Sequence, residues 1–146
     1  MSTTAQLEAN KQLVRDFTAQ VFSAHQPHLA AKFMTPDVVW HGGALGTVTG
    51  VDGLIGLLNS LLGSLPDLYA AEQDILADGD LVSVRYVVTA TVRDALLGVP
   101  ANGTQLRWDA VDIYRITDGK IVEEWAQDDI ASIMAQVGAF NPPWAG

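Results

Sequence analysis

Apolar residues recur at helical spacing through the first part of the chain and then switch to alternation. Leu7, Val14, Phe17 and Val21 fall on one stripe of a helix predicted over 5–24, with Leu13 and Phe22 beside it. A second short helix is predicted over about 27–34, where Pro27 suits a first-turn position. Residues 37–41, DVVWH, read as a short strand, and Gly42, Gly43, Gly46 and Gly50 make the next segment a flexible loop. The third helix, over about 51–63, carries Leu54, Leu57, Leu58, Leu61 and Leu62. From Leu68 the period becomes two, predicting strands over 68–77, 81–93 and 104–116 and a closing hairpin. Turns are placed at Asp78-Gly79 and Asp118-Gly119, and a short amphipathic helix follows the last strand. Helices first and strands after predict one α+β domain over 1–146, its helices on one face of a strongly curved antiparallel sheet.

Hairpin geometry turns this pattern into facings. With a two-residue turn at Asp78-Gly79, Glu72 lies opposite Arg85, and the opposite face carries Tyr69, Ala71, Ile75, Val82, Val84, Tyr86, Val88, Ala90 and Val92. That face is the more apolar and is expected to be the inner one. With a two-residue turn at Asp118-Gly119, Trp108 faces Asp129 and Asp112 faces Trp125, on one side with Ala110, Tyr114, Glu123 and Gln127. Arg107, Asp109, Val111, Ile113, Val122 and Glu124 then lie on the other side. A glycine bulge at the turn would shift this register by one. A face mixing tryptophan, tyrosine and carboxylates makes a poor plain core, because buried carboxylates are costly unless paired or protonated. It is expected to line a pocket for an apolar small molecule.

The candidate chemistry gathers at this face. Asp129, where the last strand becomes a helix, is a candidate acid/base whose pKa Trp108 and Trp125 would raise. It could instead cap the helix, a role open equally to Asp128. His41 ends the first strand beside a glycine-rich loop, as a candidate carbonyl ligand or proton relay. Tyr86 and Asp112 are candidate pocket polar groups, and Trp40 is placed with Trp108 and Trp125 among the substrate contacts.

Composition narrows the classes. There are 8 basic and 17 acidic residues, a net charge of −9, which disfavours nucleic acid and anionic lipid as partners. With no cysteine, disulfides and thiolate chemistry are excluded, which suits the cytoplasm. The first residues have no basic and apolar segments of a signal peptide, and no apolar run is long enough to span a bilayer. The three histidines lack metal-ligand spacing, and neither a Gly-x-Ser-x-Gly nucleophile nor a phosphate-binding glycine motif is present.

The runs LPDL (65–68), ADGDLVSVRY (77–86), LGVPANG (97–103) and DGKIVEEW (118–125), with Asp129 and IMAQVG after them, resemble the SnoaL-like polyketide cyclases. WHGGALGTVTG (40–50) fits the same family, which lies in the superfamily of nuclear transport factor two and ketosteroid isomerase. The resemblance implies a conical α+β barrel with a deep pocket, and ring closure by intramolecular aldol chemistry without metal or organic cofactor. It assigns the acid/base to Asp129. Val92 departs from the pattern, standing where family members often carry a histidine. Two other functions remain open: a non-catalytic binder using the same pocket, and an epoxide hydrolase, for which Arg107 with Asp109, or Arg85, would have to face inward. A homodimer through the outer sheet face, at Val111, Ile113 and Val122, is the expected assembly.

Overall fold

The structure, a computed structural model, describes residues 2–145. Helix α1 (Thr4–Phe17) starts where the Thr3 side chain accepts from Gln6 N, and its last turn widens into a π-helical segment, Thr18–Ser23. Val14, Phe17 and Val21 of this helix are fully buried, as their stripe predicts. A 3-10 turn led by Pro27 runs into α2 (Ala30–Phe33). Strand β1 (Met34–His41) begins three residues before the predicted 37–41 segment, and the glycine-rich stretch contributes an unpredicted short strand, β2 (Thr47–Thr49). Helix α3 (Val51–Ser64) follows Gly50, whose φ of +96° is costly for any residue with a Cβ.

Four strands complete the sheet: β3 (Tyr69–Asp78), β4 (Leu81–Thr91), β5 (Gln105–Thr117) and β6 (Lys120–Asp128). Helix α4 (Ile130–Gln136) follows β6 directly. The order across the sheet is β2-β1-β6-β5-β4-β3; β1 and β6 run parallel, and the other neighbouring strands are antiparallel. The sheet stays open, with β2 and β3 as its edges, and the helical layer packs into its concave side in the expected conical α+β arrangement.

Both hairpins correct the expected register. The first turn is Gly79-Asp80 rather than Asp78-Gly79, because Asp78 pairs with Leu81. A bulge between Glu72 and Asp74 then places Tyr86 opposite Glu72. Arg85 therefore pairs with Asp74 at 2.7 Å, while Glu72 meets Arg15 of α1. The inward face of β4 is as expected, whereas Tyr69 of β3 turns outward and is 56% exposed.

The second turn is Asp118-Gly119 as predicted, with both residues at positive φ, the type I′ geometry that matches strand twist. Thr117 pairs with Lys120 and Ile116 with Ile121, but Arg115 then pairs with Glu123. Val122 is the extra residue of a bulge. Because side chains alternate, one extra residue exchanges the two faces of β6 from there on. Glu124, Ala126 and Asp128 point inward; Glu123, Trp125 and Gln127 point outward. The β5 facings stand as expected.

Candidate functional site

The concave face and the helices enclose a cavity of about 110 Å3, far more than the roughly 10–15 Å3 that one water needs. Leucines 58, 61, 62, 65 and 68 supply one apolar wall, and Leu96 and Leu97 of the β4–β5 loop reach its edge. Trp40 and Trp108 are both buried in the lining. The polar lining consists of Thr18, Tyr86, Asp112, Tyr114, Glu124 and Asp128; among the described residues no lysine, arginine or histidine lines it.

Asp128 is the last residue of β6 and lies opposite Ala110, next to the Trp108 indole on the same face. Trp108 Nε1 donates to its Oδ1 at 2.7 Å. Burial raises the Asp128 pKa, and the indole hydrogen bond holds it down only in part. Asp112 faces Ala126, so that it stands diagonally from Asp128 on the same side of the sheet. Tyr114 donates to Asp112 Oδ2 at 3.2 Å, while Asp112 Oδ1 is buried without a partner. Desolvation, then the charge of Asp128, raises Asp112 to about 7. Glu124 neighbours Asp112 and is 1% exposed; burial, then the charge of Asp112, pushes its carboxyl well above the ordinary range. Behind them Tyr86 OH and Thr18 Oγ1 are 2.7 Å apart, tying the sheet to the π-helical turn. Three neighbouring carboxyl groups without a cation among them cannot all ionise together, and neutral forms are favoured.

The expected site residues divide between the two faces. Trp40, Trp108, Tyr86 and Asp112 line the pocket. Asp129 does not: its side chain is exposed and accepts from Ser132 N at 3.1 Å as the N-cap of α4. The capping role and the pocket role are thus the reverse of the sequence assignment, because the bulge at Val122 carries Asp128 inward. Trp125 and His41 sit on the outer face, their rings stacked 5.4 Å apart, and His41 Nε2 meets Glu123 Oε2 at 2.7 Å. His41 follows the buried Trp40 on β1, and alternation sends it out. Arg85 and Arg107 are exposed, so the inward arginine required by the epoxide hydrolase reading is missing among the described residues. Glu124 and Asp128 escaped sequence reasoning; the signal was present as the doublets Glu123-Glu124 and Asp128-Asp129, which offer a carboxylate to either register. Among the described residues no group of three His, Cys, Asp or Glu could hold a metal ion, and no helix is long and apolar enough to cross a membrane.

An open, conical α+β sheet with a helix-capped apolar pocket and carboxyl groups in its floor defines a class of small-molecule proteins rather than one reaction. The family model described as SnoaL-like polyketide cyclase matches residues 12–137. The chain belongs to that family. No curated protein matches it. Among solved structures, a protein from Jannaschia sp. CCS1, provisionally described as a SnoaL-like polyketide cyclase, superposes with a TM-score of 0.87 at 20% identity, covering 97% of this chain and 99% of its own. AclR from Streptomyces galilaeus, provisionally a hydroxylase, gives 0.83 at 26% identity, covering 92% and 99%. IdmH from Streptomyces antibioticus, provisionally a polyketide cyclase, gives 0.77 at 26% identity, covering 88% and 98%.

Proposed function

We propose that this protein is a cofactor-independent, polyketide cyclase-type enzyme, with Asp128 as the acid/base acting on a hydrophobic carbonyl substrate. The observation that carries the reading is the setting of Asp128: a half-buried carboxylate with a raised pKa, in the lining of an apolar cavity and held by Trp108 Nε1. Such a group removes a proton from carbon next to a carbonyl more readily than a solvated carboxylate does. The resulting enolate attacks a second carbonyl of the same molecule, forming the ring bond. Trp40, Tyr86 and the leucine wall hold the substrate, and the assignment of IdmH as a polyketide cyclase agrees with this chemistry.

The test is Asp128→Asn beside Asp129→Asn. The first is expected to abolish turnover while retaining ligand binding; the second keeps an N-cap and leaves turnover intact. Full activity in Asp128→Asn would falsify the assignment. Binding without turnover by the unaltered protein would favour the non-catalytic binder.

The same reading places two copies together through the outer sheet face, in the cytoplasm. Val111 and Ile113 are 41% and 36% exposed there, beside the half-buried Val122. Ile113→Arg is expected to convert a dimer into a monomer in sedimentation velocity. A monomeric unaltered protein would remove this assembly.

A further inference from the structure

In a ring closure the proton is taken at one carbon and needed at the oxygen of a different carbonyl. When the enolate carbon attacks that carbonyl, the acceptor oxygen takes the electron pair and needs a proton. Among the described residues no lysine, arginine or histidine lines the pocket, so the proton comes back from Asp128 where it reaches that oxygen, or from another carboxyl or hydroxyl group or water nearer to it. Asp112 has the placement for it. It stands diagonally from Asp128, a relation that puts backbones about 7–8 Å apart and leaves the side chains room to act on one substrate between them. One of its oxygens is held by Tyr114, and the other, Oδ1, is buried with no partner in the protein. A buried oxygen left unpaired in an otherwise bonded network costs free energy that a ligand oxygen would recover.

We propose that Asp112 is the second proton-transfer group of this pocket, its Oδ1 meeting the acceptor carbonyl oxygen, with Glu124 as a positioning residue beside it. This rests on the acid/base reading of Asp128. Asp128 takes the proton as the C–H bond breaks; the freed pair forms the C–C bond; the carbonyl π pair moves to oxygen, which takes the Asp112 proton. Asp128 is then neutral and Asp112 ionised, and one proton passed from Asp128 to Asp112, directly or through a water, restores both. No oxidant, reductant or further reactant is consumed.

The surroundings suit an acid at this position. The groups facing Asp112 are Glu124, Asp128 and Tyr114, with Tyr86 and Thr18 behind; none is cationic. Glu124, kept neutral by burial, adds no second negative charge beside Asp112. Glu124→Gln keeps a neutral side chain of the same shape there, whereas Asp112→Asn removes the transferable proton but keeps the shape.

Two measurements on the full chain decide the matter. In carbon-13 NMR of the carboxyl groups, the Asp112 signal is expected to titrate near neutral pH in the unaltered protein and, with the Asp128 charge removed, at lower pH but still above the ordinary carboxylate range in Asp128→Asn. Titration in the ordinary carboxylate range would overturn the proposal. The second readout is the intramolecular aldol closure of the diketone 2,6-heptanedione, followed beside α-proton exchange of the bicyclic ketone 2-tetralone in D2O, which reports Asp128 alone. Asp112→Asn is expected to slow the closure by about 100-fold and to remove its fall in rate at alkaline pH. Glu124→Gln is expected to retain that fall. An Asp112→Asn protein, folded by circular dichroism, that kept both the rate and the alkaline fall would overturn the role of Asp112. Exchange surviving in Asp128→Asn, or absent from the unaltered protein, would overturn the acid/base reading of Asp128 instead, while the NMR titration still decides Asp112.

Discussion

Trp108 Nε1 donates a hydrogen bond to Asp128 Oδ1 across the β5–β6 pair, at 2.7 Å, so that of two consecutive aspartates the first is held at the pocket. Asp128 sits on a buried, apolar side of the sheet. Asp129 caps a helix at the surface.

Replacing Asp129 with Ala removes the acceptor for Ser132 N. A lost N-cap costs about 0.5–2 kcal/mol, typically near 1. Urea denaturation is expected to show a loss in that range, with kcat per folded molecule unchanged. A large fall in kcat would return catalysis to Asp129.

Trp108→Phe keeps the ring but deletes the donor. The indole hydrogen bond lowers the Asp128 pKa against the larger effect of burial, so its removal raises that pKa further. A base must be ionised to act, so the acidic limb of the kcat/KM profile is expected to move to higher pH. A charge-assisted hydrogen bond of this kind is worth about 1.5–3 kcal/mol, and a comparable loss in kcat/KM is expected at neutral pH. An unmoved acidic limb would detach Trp108 from the titrating group.

Stability is expected to fall as pH rises through the range where Asp112 titrates. The folded chain keeps the Asp112 proton up to about 7, while an unfolded aspartate releases it near 4. Between those values the folded state binds more protons, so its advantage is lost with rising pH, by at most about 1.4 kcal/mol per pH unit for one proton. Glu124, also raised, extends the fall to higher pH. Asp67 acts in the opposite sense: hydrogen bonds from Thr91 lower its pKa, so its contribution is present at neutral pH and lost toward acid. Urea unfolding of Asp112→Asn between about pH 5 and 7 is expected to give a flatter dependence than the unaltered protein. Identical slopes would mean that Asp112 does not hold its proton in the fold.

Gly42→Ala tests the seat of Trp40. A Cβ built on Gly42 would overlap Trp40 Cη2 and Cζ3, so the indole would have to move within the pocket wall. Overpacking of this kind costs about 1–3 kcal/mol. Thermal unfolding and the affinity for a hydrophobic ketone are both expected to fall, with the Trp fluorescence altered. Unchanged stability and affinity would show that the wall yields freely.

The amphipathic spacing of Val14, Phe17 and Val21, the leucines of α3 and the alternation of β4 and β5 were enough to set the helices, the strands and the inner face of most of the sheet. Each of those patterns has one reading that buries its apolar side. The alternation of β4 and β5 likewise puts Tyr86, Trp108 and Asp112 in the pocket. The last strand was different. Its sequence, KIVEEWAQDD, carries doublets at Glu123-Glu124 and Asp128-Asp129, so that either alternation leaves one carboxylate on each side. Local pattern could not choose between Asp128 and Asp129, nor between Glu123 and Glu124. The choice fell to the bulge at Val122 and to the parallel pairing with β1, which also gave Trp125 a stacking partner in His41 on the outer face. The chain alone determined an α+β fold with a carboxylate-bearing pocket; only the tertiary structure decided which carboxylates face the pocket, because one extra residue in a strand reverses every side chain beyond it.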